Sequence, residues 1–167
     1  MYAYGYLKSG PIETPGSIER FDLPAPTPAE RDLLVAVEAV SVNPIDVKVR
    51  HRREAARARP VILGWDAVGV VQSVGSAVTQ FAAGDRVWYA GELTRDGCNA
   101  ELQLVDERLV SRAPQNLAPV DAVSLPLTSI TAWELHHERL RFCSFQEGAV
   151  VSDPWLSSLR RECRVRL

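Results

Sequence analysis

Cysteine is scarce: Cys98, Cys143 and Cys163 are the only three in 167 residues, and they lie far apart. An odd, scattered set excludes a disulfide framework and fits reduced thiols in a cytoplasmic protein. It also excludes a structural zinc lobe, which needs four closely spaced cysteines. Glycine is absent after Gly148, and no G-x-G-x-x-G run occurs anywhere. A turn of that kind lets backbone N–H groups approach a dinucleotide pyrophosphate, so this sequence does not read as holding such a site. No apolar run reaches the length of a membrane span. The start, Met1-Tyr2-Ala3-Tyr4-Gly5, has neither a basic n-region nor an apolar h-region, so a signal peptide is not expected. Nineteen basic against twenty-one acidic residues leave a formal charge of −2. That balance offers no electrostatic case for a nucleic acid or a membrane surface as partner.

What is present describes a globular chain. Hydrophobic residues make up 46% and charged residues 24%, and the length suits one domain with a real core. Tyr2, Tyr4 and Tyr6 alternate with small residues and predict a first strand. Residues 8–16 carry Gly10-Pro11 and Pro15-Gly16 and read as turns, and 18–23 as a second short strand. Residues 33–42, rich in Val and Ala, predict a long and largely buried strand. Asn43 suits an N-cap and Pro44 a first helical position, for a short helix to about Arg50. The Arg/Ala-rich stretch 51–59 reads as a solvated loop. Further strands are expected at 65–74, 86–90, 101–105 and 109–112, with a turn at Gly84-Asp85. A loop with a short helix is expected over 116–125, then a helix from Pro126 to Leu140. Many short strands with Gly and Pro turns and few helices imply a mainly β, partly open barrel.

Three segments combine into a recognisable pattern. They read N-P-I-D-V-K-V-R (43–50), L-G-W-D-A-V-G-V-V-Q-S-V-G (63–75) and G-D-R-V-W-Y-A-G (84–91). Together they resemble the N-terminal GroES-like catalytic domain of the medium-chain dehydrogenases/reductases. Within that superfamily they look most like the quinone oxidoreductase, or zinc-type alcohol dehydrogenase-like, branch. The resemblance runs from Met1 to about Leu140. Zinc-dependent members carry Cys where this chain has Asn43, and His-Glu where it has Trp65-Asp66. Neither an amide nor an indole is a usual zinc ligand, so no metal is expected.

The resemblance implies an oxidoreductase that reduces a quinone or enone-like carbonyl compound with NADPH or NADH, NADPH being preferred. Asn43 would then offer its amide to a substrate oxygen as charge develops there. Asp66 would act at the edge of the same site, with Trp65 and Asp46 at the pocket. For each of these a purely structural role stands beside the functional one: a cap for Asn43 and Asp46, a core anchor for Trp65, an arginine partner for Asp66. Thr128, in L-P-L-T-S-I-T-A-W (125–133), matches a position near the nicotinamide ribose, and its plain alternative is a helix first turn. The adjacent His136-His137 do not share a helix face and do not read as a metal pair. The expected organisation is a GroES-like domain over 1–125, an entry helix over 126–140 toward a nucleotide-binding domain this chain lacks, and a divergent tail over 141–167. That tail fits either a frameshift or truncation product or a diverged native ending. A non-catalytic GroES-like binding or interaction module is the competing reading.

Overall fold

Two antiparallel sheets carry the chain, and they do not close on each other. The computed structural model describes residues 1–56 and 59–139. The smaller sheet has the order β2-β1-β4, with β1 Tyr2–Tyr6, β2 Glu19–Asp22 and β4 Val61–Ile62. The larger has the order β7-β3-β5-β6-β8, with β3 Asp32–Ser41, β5 Asp66–Val74, β6 Arg86–Ala90, β7 Leu102–Asp106 and β8 Val110–Arg112. An isolated bridge pairs Ala3 of β1 with Ala100, two residues before β7. The helices are α1 Pro44–Arg52, α2 Pro119–Ala122 and α3 Pro126–Trp133. A three-residue 3₁₀ turn, Glu107–Leu109, precedes β8. The mainly β, open architecture is the one the turn-rich sequence implies.

Several boundaries differ from the sequence reading, each for a local reason. Strand β3 is buried at Leu33 and Val35, but its last third is not, and Val40 and Val42 are exposed. Its ladder with β5 shifts register between Val37 and Ala39. Glu38 is the extra residue, and its carboxylate lies 3.6 Å from Nε of Arg86. A bulge of this kind bends a strand and changes which face its side chains meet. Strand β4 has only two residues, too few for any periodic signal. Helix α1 extends to Arg52 into the stretch read as a loop, whose residues 57–58 lie outside the described set. Helix α3 ends at Trp133, and a π-helical stretch, Glu134–Arg139, follows. There the Trp133 and His137 rings meet at 4.0 Å. Leu140 and the tail 141–167 lie outside the described residues.

Three apolar clusters hold the first unit, Met1–Ala132, together. Leu33, Val35, Ala67, Val71, Val87, Tyr89, Cys98 and Val105 fill one side of the larger sheet. Tyr6, Val61, Leu63 and Trp65 pack against Ile45 and Val49 of α1 and so seat that helix. Val68, Ala113, Ala122 and Val123 pack with Ala39 and Trp88 and hold α2 on the other face of the larger sheet. Burying side chains of this size stabilises each junction by roughly 1.5–3 kcal/mol per residue. The second and third clusters seat α1 and α2 near β5, whose first residue is Asp66.

Candidate functional site

Asn43 stands at the junction of β3 and α1. Its backbone is extended (φ −126°, ψ 160°), as an N-cap requires, and Pro44 supplies the pre-set φ of the first helical turn. Asp46, in that turn, is buried. One carboxylate oxygen accepts the N–H of Asn43 at 2.8 Å, and the other accepts the N–H of Gly64 at 2.8 Å. Asp46 therefore ties the start of α1 to the loop before β5. That loop needs a glycine. Gly64 has φ +95°, and a Cβ there would sit 2.6 Å from Asn99 Oδ1 and 2.8 Å from Cys98 Sγ.

Trp65 follows and is 2% exposed. Its indole packs in the cluster that seats α1 and donates to the carbonyl of Glu92 at 3.1 Å. The ring is a core anchor, and among its described contacts none opens it to a ligand.

Asp66, the first residue of β5, has no exposed surface. One carboxylate oxygen accepts Nδ2 of Asn43 at 3.0 Å. The other accepts the backbone N–H of Leu127 at 2.9 Å, in the first turn of α3. A carboxylate at a helix N-terminus is favourably placed against the helix dipole. The Cys98 thiol donates to the Asp66 carbonyl at 3.3 Å. None of the described ion pairs includes Asp66. Burial raises its pKa, opposed by the hydrogen bonds from Asn43 and Leu127 and reinforced by the charge of Asp46. Burial also pushes the Cys98 thiol up to about 12, so it stays protonated at neutral pH.

The structure thus brings Asn43, Asp46 and Asp66 into one polar cluster, with Trp65 packed alongside. Thr128 lies one residue past Leu127. Its hydroxyl is within hydrogen-bond distance of the Ser124 and Leu125 carbonyls, at 2.8 and 3.0 Å, the arrangement of a helix first turn. Two members of the cluster escaped sequence reasoning. The Leu127 N–H is a backbone donor with no side-chain signature. Cys98 was legible only as a scattered thiol, although it follows Gly97 in a tight turn against Leu63.

The donor set bears on metal binding. The cluster offers the Asn43 amide, the Trp65 indole bonded to Glu92, the Cys98 thiol, and the carboxylates of Asp46 and Asp66, each with both oxygens engaged. Among the described residues no three His, Cys, Asp or Glu side chains are placed to share a metal ion. A zinc site takes three or four thiolate, imidazole or carboxylate ligands. Among the described residues no helix is long and apolar enough to cross a membrane.

A fold of two open sheets, with a cluster set where β3, β5 and α1 meet, defines a class. The family model of the alcohol dehydrogenase GroES-like domain matches residues 29–115, just over half of the chain. The chain belongs to that family, in the medium-chain dehydrogenase/reductase superfamily. A zinc-type alcohol dehydrogenase-like protein of Staphylococcus aureus (strain COL) is 45% identical over 134 residues, covering 80% of this chain and 40% of that protein. The solved structure of a Rhizobium etli CFN 42 protein assigned to the zinc-dependent alcohol dehydrogenases superposes with a TM-score of 0.82 at 49% identity, over 89% of this chain and 43% of that one. The Escherichia coli quinone oxidoreductase, solved in complex with NADPH, gives a TM-score of 0.72 at 25% identity, over 83% and 41%. The chain spans about two fifths of the length of the curated relative it matches.

Proposed function

We propose that this domain is the substrate-side part of a zinc-independent, NAD(P)H-dependent oxidoreductase that reduces quinone or enone-like carbonyl compounds. The observation that carries the reading is the bond from Asn43 to the fully buried carboxylate of Asp66. A carboxylate orients an amide more firmly than water does, because a charge-assisted hydrogen bond is the stronger kind. With one N–H of Nδ2 on Asp66, the other approaches only the Ser41 carbonyl, at a long 3.4 Å. A substrate carbonyl oxygen would replace Ser41 there and gain a donor fixed before it arrives.

The other residues take supporting roles. Asp46 holds the Gly64 loop against α1, and Trp65 makes that junction rigid. Asp66 links the same junction to α3, on which Thr128 stands, so one carboxylate sets the spacing between the substrate donor and the helix expected to lead to the cofactor. The Thr128 oxygen keeps acceptor capacity for a ribose hydroxyl. NADPH, when bound, supplies the hydride, and the product oxygen takes its proton from solvent. A cytoplasmic setting belongs to this reading, and the free, buried Cys98 agrees with a reducing compartment.

The test is a chimera of residues 1–132 joined to the remainder of the Rhizobium etli relative. It should oxidise NADPH when a 1,4-benzoquinone is added, without added zinc and after dialysis against a chelator. Asn43→Ala in the chimera should lower turnover by about 100-fold with little change in NADPH affinity. Unaltered turnover would leave Asn43 a helix cap only.

A further inference from the structure

A second concave site lies at the outer edge of the larger sheet, against β7. It encloses about 500 Å³, within the range that takes small organic ligands. Its apolar lining comes from Leu23, Pro24, Ile62 and Leu104. Its polar lining is cationic: Arg53, Arg59 and Arg95 all reach it, against the single carboxylate of Asp96.

The three guanidiniums are held differently. Arg95 is fixed by two parallel hydrogen bonds to Asp32, both 2.9 Å, and Asp32 holds the Arg95 pKa above its ordinary value. That fork uses two of five N–H donors and makes the rest rigid. Arg59 pairs with Asp96. Arg53, just past the end of α1, donates one N–H to the Leu93 carbonyl at 3.1 Å. Among the described residues no carboxylate pairs with it. Among the described residues no other hydrogen bond of its guanidinium is found. At the pocket, Arg95 is matched by Asp32 and Arg59 by Asp96, and Glu92 and Asp106 lie near enough to act on Arg95 as well.

We infer that this pocket binds a small amphipathic oxyanion, an apolar body carrying a carboxylate or phosphate group, with Arg53 as its principal charge partner and Arg95 as a fixed second donor. Planar guanidiniums match both groups bidentately. The apolar lining accounts for an organic body on the anion. None of the residues that define the proposed carbonyl site lines this pocket, so the inference stands apart from the oxidoreductase reading.

The test titrates the full chain with benzoate, phenyl phosphate and benzyl alcohol, following amide shifts by NMR. Saturable binding of benzoate or of phenyl phosphate, with shifts at Thr94–Gly97 and Leu102–Leu104, is the expected result. Whichever oxyanion binds more tightly names the charged group. Benzyl alcohol should bind at least about tenfold more weakly. Arg53→Gln should weaken oxyanion binding by about tenfold or more. Arg20→Gln, a cation on β2 that stacks on Tyr2, should leave it unchanged. No saturation by either oxyanion, equal binding of the alcohol, or native affinity in Arg53→Gln would overturn the inference.

Discussion

The two ends of strand β3 treat buried acid in opposite ways. At its start, Asp32 is gripped by Arg95, and Glu107 nearby accepts Arg31 together with the backbone N–H groups of Thr79 and Gln80. At its end, where Ser41 pairs with Asp66, the buried carboxylate meets an amide, a backbone N–H and no described cation. The consequence is visible in the pKa directions. The Arg95 hydrogen bonds hold Asp32 below its ordinary value, whereas burial lifts Asp66 above its own. The first arrangement serves stability, since each charge is matched. The second gives up that gain and leaves a polarised amide, Asn43, beside an uncompensated carboxylate. A buried carboxylate with a perturbed pKa that also orients a neighbouring amide is a candidate functional group.

The largest effect is expected from removing the acceptor at the Asp66 end. Asp66→Ala strands two donors, the Leu127 N–H and Asn43 Nδ2, and should destabilise the domain by about 2–4 kcal/mol in urea unfolding. Asp32→Ala should cost less, about 1–2 kcal/mol, because Arg95 is partly exposed and water can replace its partner. Equal losses at the two ends would erase the distinction drawn between them.

The pH dependence sharpens it. Asp32 has a lowered folded pKa, so its contribution is present above the unfolded carboxylate value and lost as pH falls through the folded one. Asp66 has a raised folded pKa, so its contribution is full below the unfolded value and lost as pH rises through the folded one. Asp32→Asn should therefore remove part of the acid-side loss of stability. Asp66→Asn should remove a trend of the opposite sign, at pH above the unfolded carboxylate value. Stability curves measured against pH for the two variants check both signs.

How far the sequence reached follows the same division. The strands with strong alternation or bounded by Gly and Pro were legible, and β6 falls at the expected Arg86–Ala90. So was the cap at Asn43, because Asn-Pro-x-Asp has a local geometry of its own. The bulge at Glu38, the two-residue β4 and the π-helical stretch after Trp133 were not, since each depends on contacts from elsewhere in the chain or on too few residues to repeat. At the site, the residue types were legible and their partners were not. Asp66 was read as an arginine's partner or as an acid at a pocket edge; its described partners are a neighbouring amide and a helix N-terminus. Nothing in one sequence reports that Leu127, 61 positions away, supplies that donor.

The central claim is that the cluster beneath Asn43 is held by a buried carboxylate that, among the described residues, has no arginine or lysine paired with it. A carboxyl-carbon NMR titration of Asp66 tests it most directly, with Asp32 as the internal reference and one equivalent of zinc added in a parallel series. The account predicts that Asp66 titrates above the ordinary carboxylate range and Asp32 below it, with Asp66 unmoved by zinc. An Asp66 that titrates at or below that range, or that drops when zinc is present, would contradict it.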